Sequence, residues 1–145
     1  LHITKKGLYQ VVNQRKGTAW WYRGRGIQMS GKTGTSQVIR IGSDKIYSKC
    51  ENYEYKYRHH GIFVSYAPTI KPKIAVSVVV EHGCHGSSAA APVAKEITTT
   101  YLQKYYPELR KRNIEKEKVA LLKLQKKLEE EKMKKELKKA SEISG

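Results

Sequence analysis

The stretch GRGIQMSGKTGTSQVIR, residues 24–40, carries the residue types most able to do chemistry in this chain. From Gly26 it reads G-x-x-x-x-G-K-T, the spacing of a phosphate-binding loop, in which backbone N–H groups cradle a triphosphate and the lysine neutralises it. From Lys32 it also reads K-T-G-T, with the same lysine opening a strand. The two readings require opposite local structures. A phosphate-binding loop must run into a helix whose N-terminus completes the anion site. Lys32 is followed instead by Thr33, Gly34, Thr35, Ser36 and Gln37, and then by Val38, Ile39, Arg40 and Ile41, a poor helix candidate. Inside the loop, Ile27, Gln28, Met29 and Ser30 are bulky where tight curvature around phosphate favours small residues. Glu81, at the end of a later apolar run, could imitate a magnesium-supporting acid, but it does not supply the missing helix. The strand reading is preferred, and no nucleotide or other cofactor is expected.

Other residues invite sharper readings than they support. His59, His60, His82, Cys84 and His85 are metal-ligand types, yet residues 82–85 share one tight turn without a distant pair at ligand spacing, so no metal is expected. Trp20 and Trp21 are able to stack on a sugar or a base; packing of a loop against the end of a sheet is the commoner role. Cys50 and Cys84 are the only cysteines. They fit one bridge in an oxidising compartment and equally two free thiols. Nothing in the sequence places their Cα atoms within bridging distance, and the reading leans towards free thiols.

Composition bounds the partners. The chain has 145 residues and a net charge of +16, from 29 Lys plus Arg against 13 Asp plus Glu. Such charge points to an anionic partner: nucleic acid, phospholipid or an anionic wall polymer. It is unevenly laid out. Residues 107–145 mix 13 basic with 8 acidic residues, whereas residues 1–106 hold the other 16 and only 5. No stretch approaches the roughly 18 apolar residues that span a bilayer. The chain opens on Leu1 without a signal peptide, so its start reads as an internal position, with any targeting segment upstream.

The elements that must position Lys32 follow from periodicity. Residues 4–15 read as a helix capped by Thr4, with Leu8, Val11 and Val12 on one face and Gly17 ending it. Residues 18–31 read as a turning connection and Lys32–Ile41 as a strand. Residues 43–60, polar and Tyr-rich, read as a surface loop. Gly61–Ala67 and Lys73–Glu81 form a hairpin around Pro68 and Pro72, and the second strand is apolar on both faces, as in a strand that lies mid-sheet or is covered on both sides. Ser87 or Ser88 is placed to cap a helix with Pro92 in its first turn and Val93, Ile97 and Tyr101 as its stripe, widened by Ala94 and Leu102. Beyond Pro107 lies one long Lys/Glu-rich helix with i, i+4 pairs Glu130–Lys134 and Glu131–Lys135. Its seam of Leu121, Leu124 and Leu128 is broken by Lys135 and Lys138, so a solvated helix is expected in place of a coiled coil.

Five blocks in order make K-T-G-T specific: GLYQVVNQRKGTA (7–19), SGKTGTSQV (30–38), HHGIFVSYAP (59–68), KIAVSVVVEHG (73–83) and GSSAAAPVAKEI (86–97). Together they resemble the C-terminal third of the transpeptidase domain of a class B penicillin-binding protein, of the elongation type called penicillin-binding protein 2. The resemblance covers residues 1–106 and leaves 107–145 as a helical tail. It implies an α+β fold of the penicillin-binding and serine β-lactamase-like kind, a five-stranded antiparallel sheet flanked by helices, of which this chain would supply the last three strands. It implies a peptidoglycan D,D-transpeptidase that acts on stem peptides ending in D-Ala-D-Ala, binds β-lactams, works on the periplasmic side of the bacterial inner membrane and meets elongation-complex proteins, with no nucleic acid.

In that family Lys32 would supply charge beside the serine system and the substrate carboxylate. Thr33 and Thr35 would offer hydroxyls to the carboxylate, and the Thr35 N–H would serve the oxyanion hole. Gly34 would admit the substrate backbone. The nucleophile stands in S-x-x-K, with S-x-N as a second motif. No serine of this chain has a lysine three places on or an asparagine two places on. The nucleophile and its base are therefore expected in an upstream part of the same transpeptidase, and the 145 residues alone are expected to be inactive. A non-catalytic remnant of the same fold, or a basic binding module, stands as the alternative.

Overall fold

The computed structural model describes residues 1–24, 26–40 and 48–143, with side chains in the last helix described through Lys134 except those of Arg110, Arg112, Asn113 and Glu117. The elements are α1 (His2–Asn13), β1 (Ser30–Ser36), β2 (His60–Ala67), β3 (Ile74–Val80), α2 (Ala91–Tyr105) and α3 (Pro107–Ile143). The strands form one antiparallel sheet in the order β1-β2-β3, with Lys32 opposite Val64 and Phe63 between Thr33 and Val78. The fold is α+β, as expected.

Alternation along β2 sorts the sheet into two faces. Gly61, Phe63, Ser65 and Ala67 are buried and point towards α1 and α2. Phe63, Val12, Met29, Ala94 and Leu102 form the centre of the core, and Ile74, Val76, Val78 and Val80 of β3 pack against it. On the opposite face Val64 and Val79 are 43% and 59% exposed. The double apolar pattern of β3 implied a mid-sheet strand or cover on both faces; among the described residues β3 ends the sheet, and α1 and α2 both pack on the Phe63 side.

Several boundaries differ from expectation. α1 starts after Leu1 without a side-chain cap, so Thr4 lies within it and caps nothing. β1 begins two residues early, at Ser30, and ends at Ser36, where its pairing with His60 of β2 ends. Among the described residues the apolar Val38 and Ile39 have no strand to pair with, and the Val38 N–H donates to His59 Nδ1 instead. Ile41 lies outside the described residues, as does the loop through residue 47. No serine caps α2: Gly86–Ala90 form a π-helical turn that leads into it, with Pro92 in the first turn. The buried stripe of α2 is Ala91, Ala94, Thr98 and Leu102, whereas Val93 and Ile97 are 43% and 44% exposed. Small residues win that face because the helix lies close against the strands.

The cysteines are joined. Cys50 and Cys84 form a disulfide with Cα atoms 5.7 Å apart, correcting the expectation of free thiols. Their proximity comes from the turn after β3 folding back towards the start of β2, where Cys84 N–H donates to His59 O and His59 N–H donates to Cys50 Sγ. The turning connection carries a short 3-10 turn, Trp20–Tyr22. Here Ala19 and Tyr22 join the core, while Trp21 is 78% exposed, so Tyr22 takes the packing role expected of the tryptophans. In α3 the seam leucines Leu121, Leu124 and Leu128 are all about half exposed or more. Among the described residues no ion pair joins Glu130 to Lys134; Lys135 and Lys138 fall among the undescribed side chains.

Candidate active-site strand

Among the described residues β1 is an outer strand of the sheet, with β2 on one side and no strand on the other. An outer strand leaves every second N–H and C=O unpaired, and an extended chain can add to it. The residues Lys32, Thr33, Gly34 and Thr35 all lie on this strand. Alternation puts Lys32 and Gly34 on the exposed sheet face and Thr33 and Thr35 on the other, so lysine and hydroxyls flank the open edge from two sides.

Three anchors set where this strand begins. Asn13, at the end of α1, donates from Nδ2 to Met29 O at 2.8 Å and to Tyr9 O at 3.0 Å. Ser30, fully buried, shares a 2.9 Å hydrogen bond with the hydroxyl of Thr69 in the hairpin loop. The Thr69 N–H donates to Gln28 O. The helix before the strand and the loop after β2 thus hold residues 28–30, and Lys32 follows one turn of the pleat later. Gly31 has no room for a side chain, because a Cβ there would lie 2.7 Å from both Phe63 Cζ and Val64 O. Gly34 is different. A Cβ there would meet the Ile62 side chain at an ordinary 3.4 Å, so no described residue requires glycine at that position.

Lys32 is exposed, and its ammonium donates to Thr33 O at 2.6 Å; among the described residues no carboxylate pairs with it. Thr33 Oγ1 lies 3.0 Å from Thr18 Oγ1. Thr35 is exposed. The result is a cation and two hydroxyls beside an unpaired strand edge, an arrangement suited to an anionic group at the end of an extended peptide.

The penicillin-binding protein transpeptidase domain model matches residues 1–99. The chain belongs to the penicillin-binding protein transpeptidase family. Within that family its resemblance is to the penicillin-binding protein 2 type. It is 33% identical over 111 residues to the peptidoglycan D,D-transpeptidase MrdA of Haemophilus influenzae, covering 76% of this chain and 17% of that protein. It is 47% identical over 72 residues to the same-named protein of Acinetobacter baumannii, covering 46% of this chain and 11% of that protein. A Helicobacter pylori penicillin-binding protein 2 in complex with MreC superposes with a TM-score of 0.60 at 30% identity, over 72% of this chain and 17% of that one. Pseudomonas aeruginosa penicillin-binding protein 2 in complex with WCK 5153 superposes with a TM-score of 0.51 at 34% identity, over 68% and 18% of the two chains. The chain therefore spans less than a fifth of the length of the curated relatives it matches.

The histidines are engaged locally. His60 Nδ1 accepts from the His82 N–H at 2.9 Å, His82 Nδ1 donates to Arg58 O at 3.0 Å, and His85 Nε2 lies 3.2 Å from Glu51. Among the described residues no three His, Cys, Asp or Glu side chains gather into a metal-holding group. Sequence reasoning missed Asn13, Thr18, Ser30 and Thr69. The first three lie inside blocks that carry the family resemblance, and their polar type amid packed neighbours was the available signal.

Proposed function

We propose that this chain supplies the substrate-carboxylate wall of a peptidoglycan D,D-transpeptidase, with Lys32, Thr33, Gly34 and Thr35 as its binding residues. The observation that carries the reading is the outer edge of β1 flanked by an ammonium that, among the described residues, no carboxylate pairs with, and by two threonine hydroxyls. An extended stem peptide ending in D-Ala-D-Ala would lie along that edge. Lys32 would draw its terminal carboxylate, and Thr33 and Thr35 would donate to it. The backbone N–H of Thr35 would face the oxyanion that forms as the acyl carbon becomes tetrahedral, an interaction worth roughly 10²–10³ in rate. Gly34 would leave room for the substrate backbone, consistent with no described residue requiring glycine there. A β-lactam would use the same wall through its own carboxylate.

The nucleophile and its base would come from a segment outside these 145 residues, since no serine here stands in S-x-x-K or S-x-N. That segment would also cover the exposed face of Val64 and Val79 and the free side of β3. The enzyme would work on the periplasmic side of the inner membrane among elongation-complex proteins; the Helicobacter relative bound to MreC supports the latter.

Mass spectrometry after incubation with a fluorescent penicillin tests this reading in two arms. The 145 residues alone should form no stoichiometric acyl adduct. In the complete domain Lys32→Ala should slow acylation by orders of magnitude without loss of fold. An adduct on the isolated chain, or near-normal kinetics in the variant, would overturn it.

A further inference from the structure

Thr18 reaches the edge strand from outside the sheet. Its hydroxyl lies 3.0 Å from that of Thr33, 15 residues later in the chain. The approach is not a loose one. Ala19, next to it, is fully buried and donates its N–H to Val11 O at 3.0 Å. Gly17, on the other side, donates its N–H to Gln14 O at 2.8 Å. A Cβ on Gly17 would collide with the carbonyl oxygens of Gln10 and Val11, so only glycine lets this turn close on the end of α1. Thr18 is thus held between two anchored neighbours, with its side chain aimed at β1.

A hydroxyl has one proton to give. If Thr33 spends its proton on Thr18, it has none for a carboxylate. If Thr18 donates, Thr33 Oγ1 is satisfied as an acceptor and its proton is free to point off the strand. An approaching anion selects the second arrangement, because it favours the donor that faces it, and a chain of hydroxyls polarised in one direction strengthens each bond. We propose that Thr18 is a positioning residue: it donates to Thr33 Oγ1 and so turns the Thr33 hydroxyl into a donor aimed at the substrate carboxylate. The inference rests on the reading of the K-T-G-T strand given above and adds a residue to it.

A double-mutant cycle in the complete transpeptidase, followed by the rate of acylation with benzylpenicillin, tests this. Thr18→Val keeps the shape and removes the donor. It should slow acylation about three- to tenfold, the scale of one hydrogen bond, and Thr18→Ser should restore the rate. Thr33→Val should slow it at least as much, and adding Thr18→Val to Thr33→Val should then cost nothing more. A normal rate in Thr18→Val overturns the proposal, as does a slowing of equal factor on the Thr33→Val background, which is what a merely structural defect would give. If Thr33→Val and Lys32→Ala both acylate normally, the K-T-G-T reading itself has failed, and the positioning role fails with it.

Discussion

Lys32 and Gly86 show how differently two residues of one site answer to stability. Lys32 is exposed and, among the described residues, bonded to the carbonyl beside it, so its loss removes charge without packing. Lys32→Ala should leave unfolding free energy within about 0.5 kcal/mol of the parent, as read by urea denaturation of the complete domain, even as acylation collapses. Gly86 makes no claim on substrate, yet it opens the π-helical turn directly behind β1. A Cβ there would lie 2.5 Å from Gly34 O and 3.0 Å from Gly34 N, and would strike Ile62 O as well. All three atoms belong to backbone and cannot swing away. Gly86→Ala should therefore cost about 1–3 kcal/mol and displace the middle of the K-T-G-T strand. A variant with parental stability would show that the turn yields more easily than its contacts imply.

At the scale of elements, α2 separates packing from pattern. Its apolar β-branched residues Val93 and Ile97 face outward, and its small residues Ala91, Ala94 and Thr98 face the strands. Ala94→Leu should overpack that face by about 1–3 kcal/mol, whereas Ile97→Ser should shift stability by less; chemical denaturation of the two variants checks the order. The reverse order would put Val93 and Ile97 back on the packed face read from hydrophobicity alone, beside Tyr101, which does pack against the core. That misreading has a physical source: periodicity locates an amphipathic helix, but close helix-to-sheet approach rewards small residues, which hydrophobicity ranks low. The strands were more legible. Gly61–Ala67 and Lys73–Glu81 came within a residue at each end because β-branched runs and a proline-bearing loop bound them. Lys32–Ile41 did not. Its register is set by partners on β2, and β2 runs out at His60, so the apolar Val38 and Ile39 continue past the sheet. Of the candidate site, the strand character of the K-T-G-T segment was legible from the residues that follow Lys32. Asn13, Thr18 and Thr69 were not, because each acts on residues 15 to 41 positions away in sequence and only the fold brings them near.

For the molecule as a whole, α3 continues past Tyr106, whose ring packs against the core, with Leu109 N–H donating to Tyr106 O. From Val119 onward the described apolar side chains, Leu121, Leu124 and Leu128 among them, stay largely in solvent. Deleting residues 110–145 should change the stability of the remainder by no more than about 0.5 kcal/mol, measured by thermal unfolding. A drop of many degrees would mean that the helix docks on the sheet. The Cys50–Cys84 bond has a consequence for the molecule's connectivity. One cysteine precedes β2 and the other follows β3, 34 residues apart, so the whole hairpin lies inside a covalent ring. Its tip, with Ile70 77% exposed beside Lys71 and Lys73, is an accessible point of that ring. A single tryptic cut after Lys73 would open the ring without dividing the chain. The nicked protein should run as one band under denaturing conditions and fall into two only when a reductant is added, and two bands before reduction would show that the bond is not there.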